Sequence, residues 1–300
     1  MTPPRYPSPE RFKQALEARI RSAAAAASVD VARYRQQRIF DRFLARIAAQ
    51  LGDRAVLKGG VAMTLWLPRA RTTRDIDLGL RGHLDDLLVE LRIAGQRDLG
   101  DFLAFDITPD PRHPTMEGEG IVYEGSRFRA PARLAGKVYG DPFGVDIAVG
   151  DRMLVPPETR TGDDFFAFAA LPPTTLRVYA REVHVAEKLH AFTLPRSREN
   201  SRVKDLPDLA LLAATGPFQS ALLRDAIHAT FTHRGSHVVP AALPAPPASW
   251  ARPYADMAQE NDLSWSTLEE VFTRARDFLD PLLRGEEGIW DPTGWSWRRG

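Results

Sequence analysis

Apolar residues recur at helical spacing through the first fifty positions and then change period. Ser8-Pro9-Glu10 is a good helix start, with Ser8 as N-cap and Pro9 in the first turn, and Phe12, Leu16 and Ile20 follow ahead of the alanine run at 23–27. A second helix is predicted from Asp30, where Val31, Tyr34, Ile39, Phe40, Phe43, Leu44 and Ile47 keep the same period. From Ala55 the pattern shortens. Apolar or alternating runs at 55–57, 75–78, 102–108, 143–149 and 176–179 predict strands, with a helix among them at 83–94. Residues 120–134 read as two short strands turning at Gly125-Ser126. Beyond residue 180 helical periods return at 183–191, 218–231 and 266–283, with a Pro/Ala-rich connector at 240–247. The pattern predicts an α/β unit over residues 1–180, N-terminal helices included, and a helical unit over 181–300.

Composition changes this picture in two places. With 300 residues, 44% apolar and 26% charged, the chain is an ordinary soluble one. It has no apolar run of the ~18 residues a membrane span needs, and its opening M-T-P-P-R-Y-P-S-P lacks a secretory apolar stretch, so a cytoplasmic protein with no membrane partner is expected. The absence of cysteine excludes disulfides and thiolate metal sites. The net charge of +1 conceals the first informative point: residues 1–50 hold ten Arg/Lys against four Asp/Glu. Arg33, Arg35, Arg38, Arg42 and Arg46 ring the second helix, either as the solvated face of a core-packed helix or as a surface for a nucleic-acid backbone. Secondly, only five of the 40 basic residues are lysine (Lys13, Lys58, Lys137, Lys188 and Lys204), and ammonium and guanidinium are not interchangeable at a phosphate or metal site.

The densest chemistry lies at 57–80, L-K-G-G-V-A-M-T-L-W-L-P-R-A-R-T-T-R-D-I-D-L-G-L. On a strand Asp75 and Asp77 point the same way while Ile76 and Leu78 face the core. Two carboxylates side by side repel, and a divalent cation is the commonest reason to keep them there. Lys58 with Gly59-Gly60 lets the backbone approach a phosphate closely, and Arg69, Arg71, Thr72, Thr73 and Arg74 lie between. For D-x-D alone, a strand edge with solvated aspartates is the plainer reading. Downstream, Asp146 stands opposite Val145, Ile147 and Val149 in F-G-V-D-I-A-V, with Asp151 in the loop that follows. V-H-V-A-E-K-L-H-A at 183–191 puts His184 and Lys188 on one helix face, which by itself reads as an exposed polar face. In R-V-K-D-L-P-D-L at 202–209, Pro207 suits a helix start and the aspartates could cap it. His233 and His237 have H-x3-H spacing, but Gly235 interrupts and nothing nearby completes a zinc site. The tail carries Trp290, Trp295 and Trp297, either packed on the body or offered to a partner.

Taken in order, K-G-G, R-x-T-x-D-h-D, E-K-L-x-A and R-x-K-D-x-x-D-L span residues 57–209. This series resembles the AbiEii/AbiGii toxin family, nucleotidyltransferase-like proteins in which the first motif replaces the G-S…D-x-D of DNA polymerase β-type enzymes. The resemblance implies an α/β fold, a DNA polymerase β-type nucleotidyltransferase core with a mixed sheet, followed by a largely helical C-terminal half. It also implies a toxin of a type IV-like toxin–antitoxin pair that moves a nucleotide from an NTP onto RNA, in some relatives the tRNA 3′ acceptor end, blocking translation and growth. A cognate antitoxin is then an expected partner. Carried onto this sequence, the family pattern gives catalytic roles to Asp75, Asp77, Lys188 and Asp208 and leaves Asp205 ambiguous. Nucleotide contacts fall to Lys58, Gly59, Gly60, Arg71, Thr73 and Arg74. One or two Mg²⁺ ions fall to Asp75 and Asp77, with Asp146 as third acid ahead of Asp151. Three rivals stand beside this reading. A metal-dependent nuclease or phosphatase would use the carboxylates without needing K-G-G or the distant lysine. A catalytically silent nucleic-acid-binding or antitoxin-like protein would use the basic helices. A nucleotidyltransferase could instead modify a protein hydroxyl.

Overall fold

The computed structural model describes residues 6–67, 73–82, 86–115, 124–149, 155–196 and 202–299. Helix α1 (Pro9–Ala26) starts at Ser8, whose side chain accepts from the Arg11 N–H, and α2 (Val31–Leu51) starts at Asp30, which accepts from the Arg33 N–H. Phe12, Leu16 and Ile20 of the first and Ile39, Phe43 and Ile47 of the second enter one core. Each such side chain contributes about 1.5–3 kcal/mol by leaving water.

The chain then runs through β1 (Ala55–Lys58), the short α3 (Gly59–Met63), β2 (Asp75–Leu80) and α4 (Leu87–Gln96). It continues as β3 (Ala104–Phe105), β4 (Thr108–Pro109), β5 (Glu124–Ala130), β6 (Ala132–Leu134), β7 (Lys137–Val138), β8 (Phe143–Val149), β9 (Glu158–Thr161) and β10 (Thr175–Val178). Seven strands form one sheet in the order β4-β5-β8-β2-β1-β10-β9. It is mixed: β2 lies parallel to β8 and β1 parallel to β10, while the other neighbours are antiparallel. Ile76 and Leu78 are buried, as their alternation with the aspartates requires.

The helical half comprises α5 (Arg181–Thr193), α6 (Asp205–Ala213), α7 (Ser220–Arg234), α8 (Ala251–Asn261) and α9 (Leu268–Leu283), closed by the hairpin of β11 (Ile289–Asp291) and β12 (Ser296–Arg298). Its core runs from Val185 to Trp290 and takes in Met63, whereas Val61 and Ala62 belong to the first core. The short helix after Lys58 therefore sits between the two cores. The tryptophan tail packs on the body. Trp290 is fully buried and donates its Nε1–H to the Ala213 carbonyl at 2.8 Å, and Trp297 stacks on Phe278. Among the described residues no helix is long and apolar enough to cross a membrane.

Several expectations are corrected. β5 passes straight through Gly125-Ser126 because all seven of its residues pair with β8; the tight turn lies instead at Ala135-Gly136, where both residues have positive φ and join β6 to β7. The run at 102–108 is broken into β3 and β4, and Phe102 has φ of 56°. The helix expected at 83–94 is seen as α4, and residues 83–85 lie outside the described residues. α8, with its apolar contacts spread over Tyr254 and Ala258, was not foreseen. The arginines of α2 turn largely inward. Arg42 and Arg46 are buried and both bind Asp101, Arg35 forks onto Glu17, and Arg38 holds Asp163. Most of that basic stripe holds the fold together and does not form an open surface.

Candidate functional site

Four adjacent strands each bring one charged residue into a single row. The register pairs Lys58 with Asp77, Asp77 with Asp146, and Asp146 with Arg127. Directly paired residues share a sheet face, so the row reads plus, minus, minus, plus. Asp146 accepts from Arg127 Nε and Nη2, both at 2.7 Å. Desolvation pushes the Asp77 carboxyl up to about 6; Lys58 and Lys188 oppose the rise, while Asp146 and Asp75 add to it. Asp75 is exposed two residues earlier on the same face, over Gly144, where a side chain would collide with its carboxylate. Gly59 has φ of +69°, and a Cβ there would overlap the Asp77 carboxylate. At Gly60 a Cβ would press on Thr73 at 3.0 Å. In this arrangement the glycine pair gives room to Asp77 and Thr73. Thr73 in turn donates to the Asp75 carbonyl at 3.2 Å.

Lys188 reaches the same place from the helical half. Its Nζ lies 3.0 Å from Asp205 Oδ1 and 2.8 Å from Asp208 Oδ2. Pro207 is the third residue of α6 and no side chain caps that helix, so both aspartates grip Lys188 where the sequence suggested capping. Asp208 is fully buried, whereas Asp205 also lines the cavity above. His184, one turn before Lys188, is buried with its ring edge-on to Trp66. Burial, then Lys188 and Lys58, push its imidazole down to about 3, so it adds no third positive charge between the lysines.

These groups open into one cavity of about 1510 Å³ walled by both halves. Lys58, Gly59, Gly60, Thr73, Arg74, Asp75, Asp77, Asp146 and Lys188 all line it, and Asp208 stands behind Lys188. Arg71 lies outside the described residues, as do Arg69, Thr72 and Asp151. Sequence reasoning missed Arg127, although R-F-R in β5 alternates and Arg127 and Arg129 must share a face. It also missed the basic rim: Arg112 and His113 on one side, Arg196, Arg202, Lys204 and Arg234 on the helical side. His237 is engaged by Ser236 and Thr193 and packs on His190.

Among the described residues no three acidic or histidine side chains converge closely enough to hold an ion as they stand, and both oxygens of Asp146 are taken by Arg127. The donor chemistry still suits a hard divalent cation. The candidates are oxygen donors on neighbouring strands, and burial, with repulsion from Asp146 and Asp75 added to it, already keeps Asp77 above the usual carboxylate range.

The family model for the nucleotidyl transferase AbiEii toxin of type IV toxin–antitoxin systems matches residues 42–281. The chain belongs to the AbiEii nucleotidyltransferase toxin family. The AbiEii match takes in the charged row, Lys188 and the gripping aspartates together. Among solved structures, the fold is shared with MenT4, a nucleotidyltransferase toxin from Mycobacterium tuberculosis, with a TM-score of 0.56, 16% identity and 92% of each chain covered. JHP933 from Helicobacter pylori is 14% identical with a TM-score of 0.44, over 82% of this chain and 90% of that one. A search of curated proteins finds no significant match.

Proposed function

We propose that this AbiEii toxin transfers a nucleotide from an NTP to RNA in a Mg²⁺-dependent reaction in the cytoplasm, with the tRNA 3′ acceptor end as target. Transfer there would block translation and growth, and a cognate antitoxin would oppose it. The observation that carries this reading is the row Arg127–Asp146–Asp77–Lys58 facing the same cavity as Lys188. Two ammonium groups beside clustered carboxylates suit a polyphosphate, whereas a nuclease needs only the carboxylates.

Residues 1–180 supply the carboxylates and residues 181–300 bring Lys188 across. Asp75 and Asp77 would hold the divalent cation, with Asp146 as a third donor. When bound, it supplies charge neutralisation at the phosphates and lowers the pKa of the attacking hydroxyl. Lys58 and Lys188 neutralise the triphosphate, and Asp205 and Asp208 position Lys188. Thr73 and Arg74 stand on the nucleotide side beside Gly59 and Gly60, and Arg71 keeps the nucleotide contact that the family pattern gives it. The RNA hydroxyl oxygen gives up its proton to solvent and forms a bond to the α-phosphorus, the bond from that phosphorus to the bridging oxygen breaks, and pyrophosphate leaves with its electron pair.

RNA is favoured as acceptor by size and charge. A pocket for one small molecule takes ~300–1,000 Å³. This cavity has about 1510 Å³, and Arg112, Arg196, Arg202 and Arg234 line it where a phosphate backbone could enter. The test is to incubate the protein with total RNA and each NTP, labelled at either the α or the γ phosphate. Label from the α position in a discrete RNA band, none from the γ position, and loss in Asp77→Asn are expected. Label on a protein band would transfer the reading to a protein hydroxyl; tight RNA binding without label would make the chain a silent binder.

A further inference from the structure

Arg127 does more in this site than balance a buried acid. Its guanidinium forks onto Asp146, one N–H to each carboxylate oxygen, both at 2.7 Å, which is the strongest geometry for that pair. The two residues are directly opposite in the β5–β8 register, so side-chain torsions alone make or release the contact. Exposure is lopsided: the Arg127 side chain is 37% exposed and that of Asp146 12%, and both residues line the cavity. The other arginine on this strand face, Arg129, is fastened elsewhere. It binds Asp110, which also accepts from the Arg112 and His113 N–H groups and so pins the loop at the cavity edge.

Asp146 is also in register with Asp77, with Asp75 on the same face. The sheet thus forces acid against acid, and Arg127 is the group that now relieves it at Asp146. A divalent cation would compete for those same oxygens. Resting on the transferase reading above, we propose that Arg127 is a latch on the third carboxylate: it neutralises Asp146 until a cation takes that acid, then turns to the triphosphate. Arg127 and the cation are therefore antagonists, while Arg127 and the nucleotide are allies. A pair that merely holds the sheet together would show neither relation.

The test needs no turnover. Mn²⁺ binding is followed by the electron paramagnetic resonance of the free ion, first alone and then with an NTP analogue that cannot release pyrophosphate; analogue affinity is measured by calorimetry. Arg127→Ala should bind Mn²⁺ alone about tenfold more tightly and the analogue about tenfold more weakly. Arg127→Lys, which keeps the charge but loses the fork, should fall between on both and guards against a folding defect. In an Asp146→Asn background, Arg127→Ala should leave Mn²⁺ affinity unchanged. Mn²⁺ affinity that falls or stays level in Arg127→Ala overturns the latch. Tighter Mn²⁺ with unaltered analogue binding overturns the hand-over. Opposite shifts in a protein that labels no RNA would keep the latch and remove the RNA-transferase reading; RNA labelling without those shifts does the reverse.

Discussion

Lys188→Met tests how the two halves of the molecule share one charged group. The Lys188 ammonium sits within 3.0 Å of Asp205 and 2.8 Å of Asp208, whose side chains are 3% and 0% exposed. Methionine keeps the length of the stem and most of its packing, so the substitution removes the charge and little else. Two buried carboxylates then lose the cation they share, while Asp205 keeps Arg202 at 3.8 Å. Breaking a buried pair by deleting one partner costs about 3–5 kcal/mol. Lys188 is itself 17% exposed, which places the expected loss toward the lower end, about 3 kcal/mol. Asp208→Asn removes one charged hydrogen bond and costs about 1.5–3 kcal/mol. Because both changes strike the same contact, the double variant should lose less than the sum by about 1 kcal/mol or more. Urea unfolding followed by tryptophan fluorescence reads this directly, since buried Trp290 is bonded to the end of α6. A Lys188→Met protein within about 0.5 kcal/mol of wild type, or an additive cycle, would refute the reasoning.

Three further outcomes follow from the same geometry. Asp77 holds its proton up to about 6 against an ordinary value of 3.8, so between those values the folded chain binds more protons than the unfolded one and its stability falls as pH rises. Mn²⁺ affinity should climb through the same window as the carboxylate ionises, a dependence that Asp77→Asn removes; a flat profile from pH 5 to 7 contradicts it. Gly59→Ala should cost about 1–2 kcal/mol for its left-handed backbone and more for overlap with Asp77, whereas Gly235→Ala, with φ of +59°, ψ of 15° and its nearest neighbour at 4.0 Å, should cost only the former. Equal thermal shifts for the two would remove the steric account. Arg46→Met should destabilise by about 1.5–3 kcal/mol by taking charged hydrogen bonds from Asp101, which keeps Arg42, yet leave RNA affinity unchanged in the folded fraction; reduced affinity there would restore the basic helix as an RNA surface.

The charged face of the sheet was legible wherever chemistry is written in one strand. Asp75 and Asp77 announce themselves by period-two spacing, and Asp146 by standing alone among Val145, Ile147 and Val149. Gly59 and Gly60 were legible as necessary, though what they make room for is Asp77 and Thr73. What could not be read was pairing. Whether an arginine faces solvent depends on a partner far along the chain: Asp101 lies 55 residues from Arg46, and Asp163 lies 125 from Arg38. For the same reason Arg127 passed unnoticed until register set it against Asp146, and Asp205 was ambiguous until Lys188 arrived from another helix. The turn misplaced at Gly125-Ser126 has a similar origin, because pairing with all of β8 overrides a local turn signal.

The most direct test uses deacylated tRNA with an intact 3′ end beside the same tRNA with its terminal diol oxidised by periodate, each incubated with α-labelled NTP and Mg²⁺. The account expects label on the intact tRNA alone, reduced about 100-fold or more by Asp77→Asn in a protein that still unfolds cooperatively. Equal labelling of the oxidised tRNA, or undiminished labelling by folded Asp77→Asn, would contradict it.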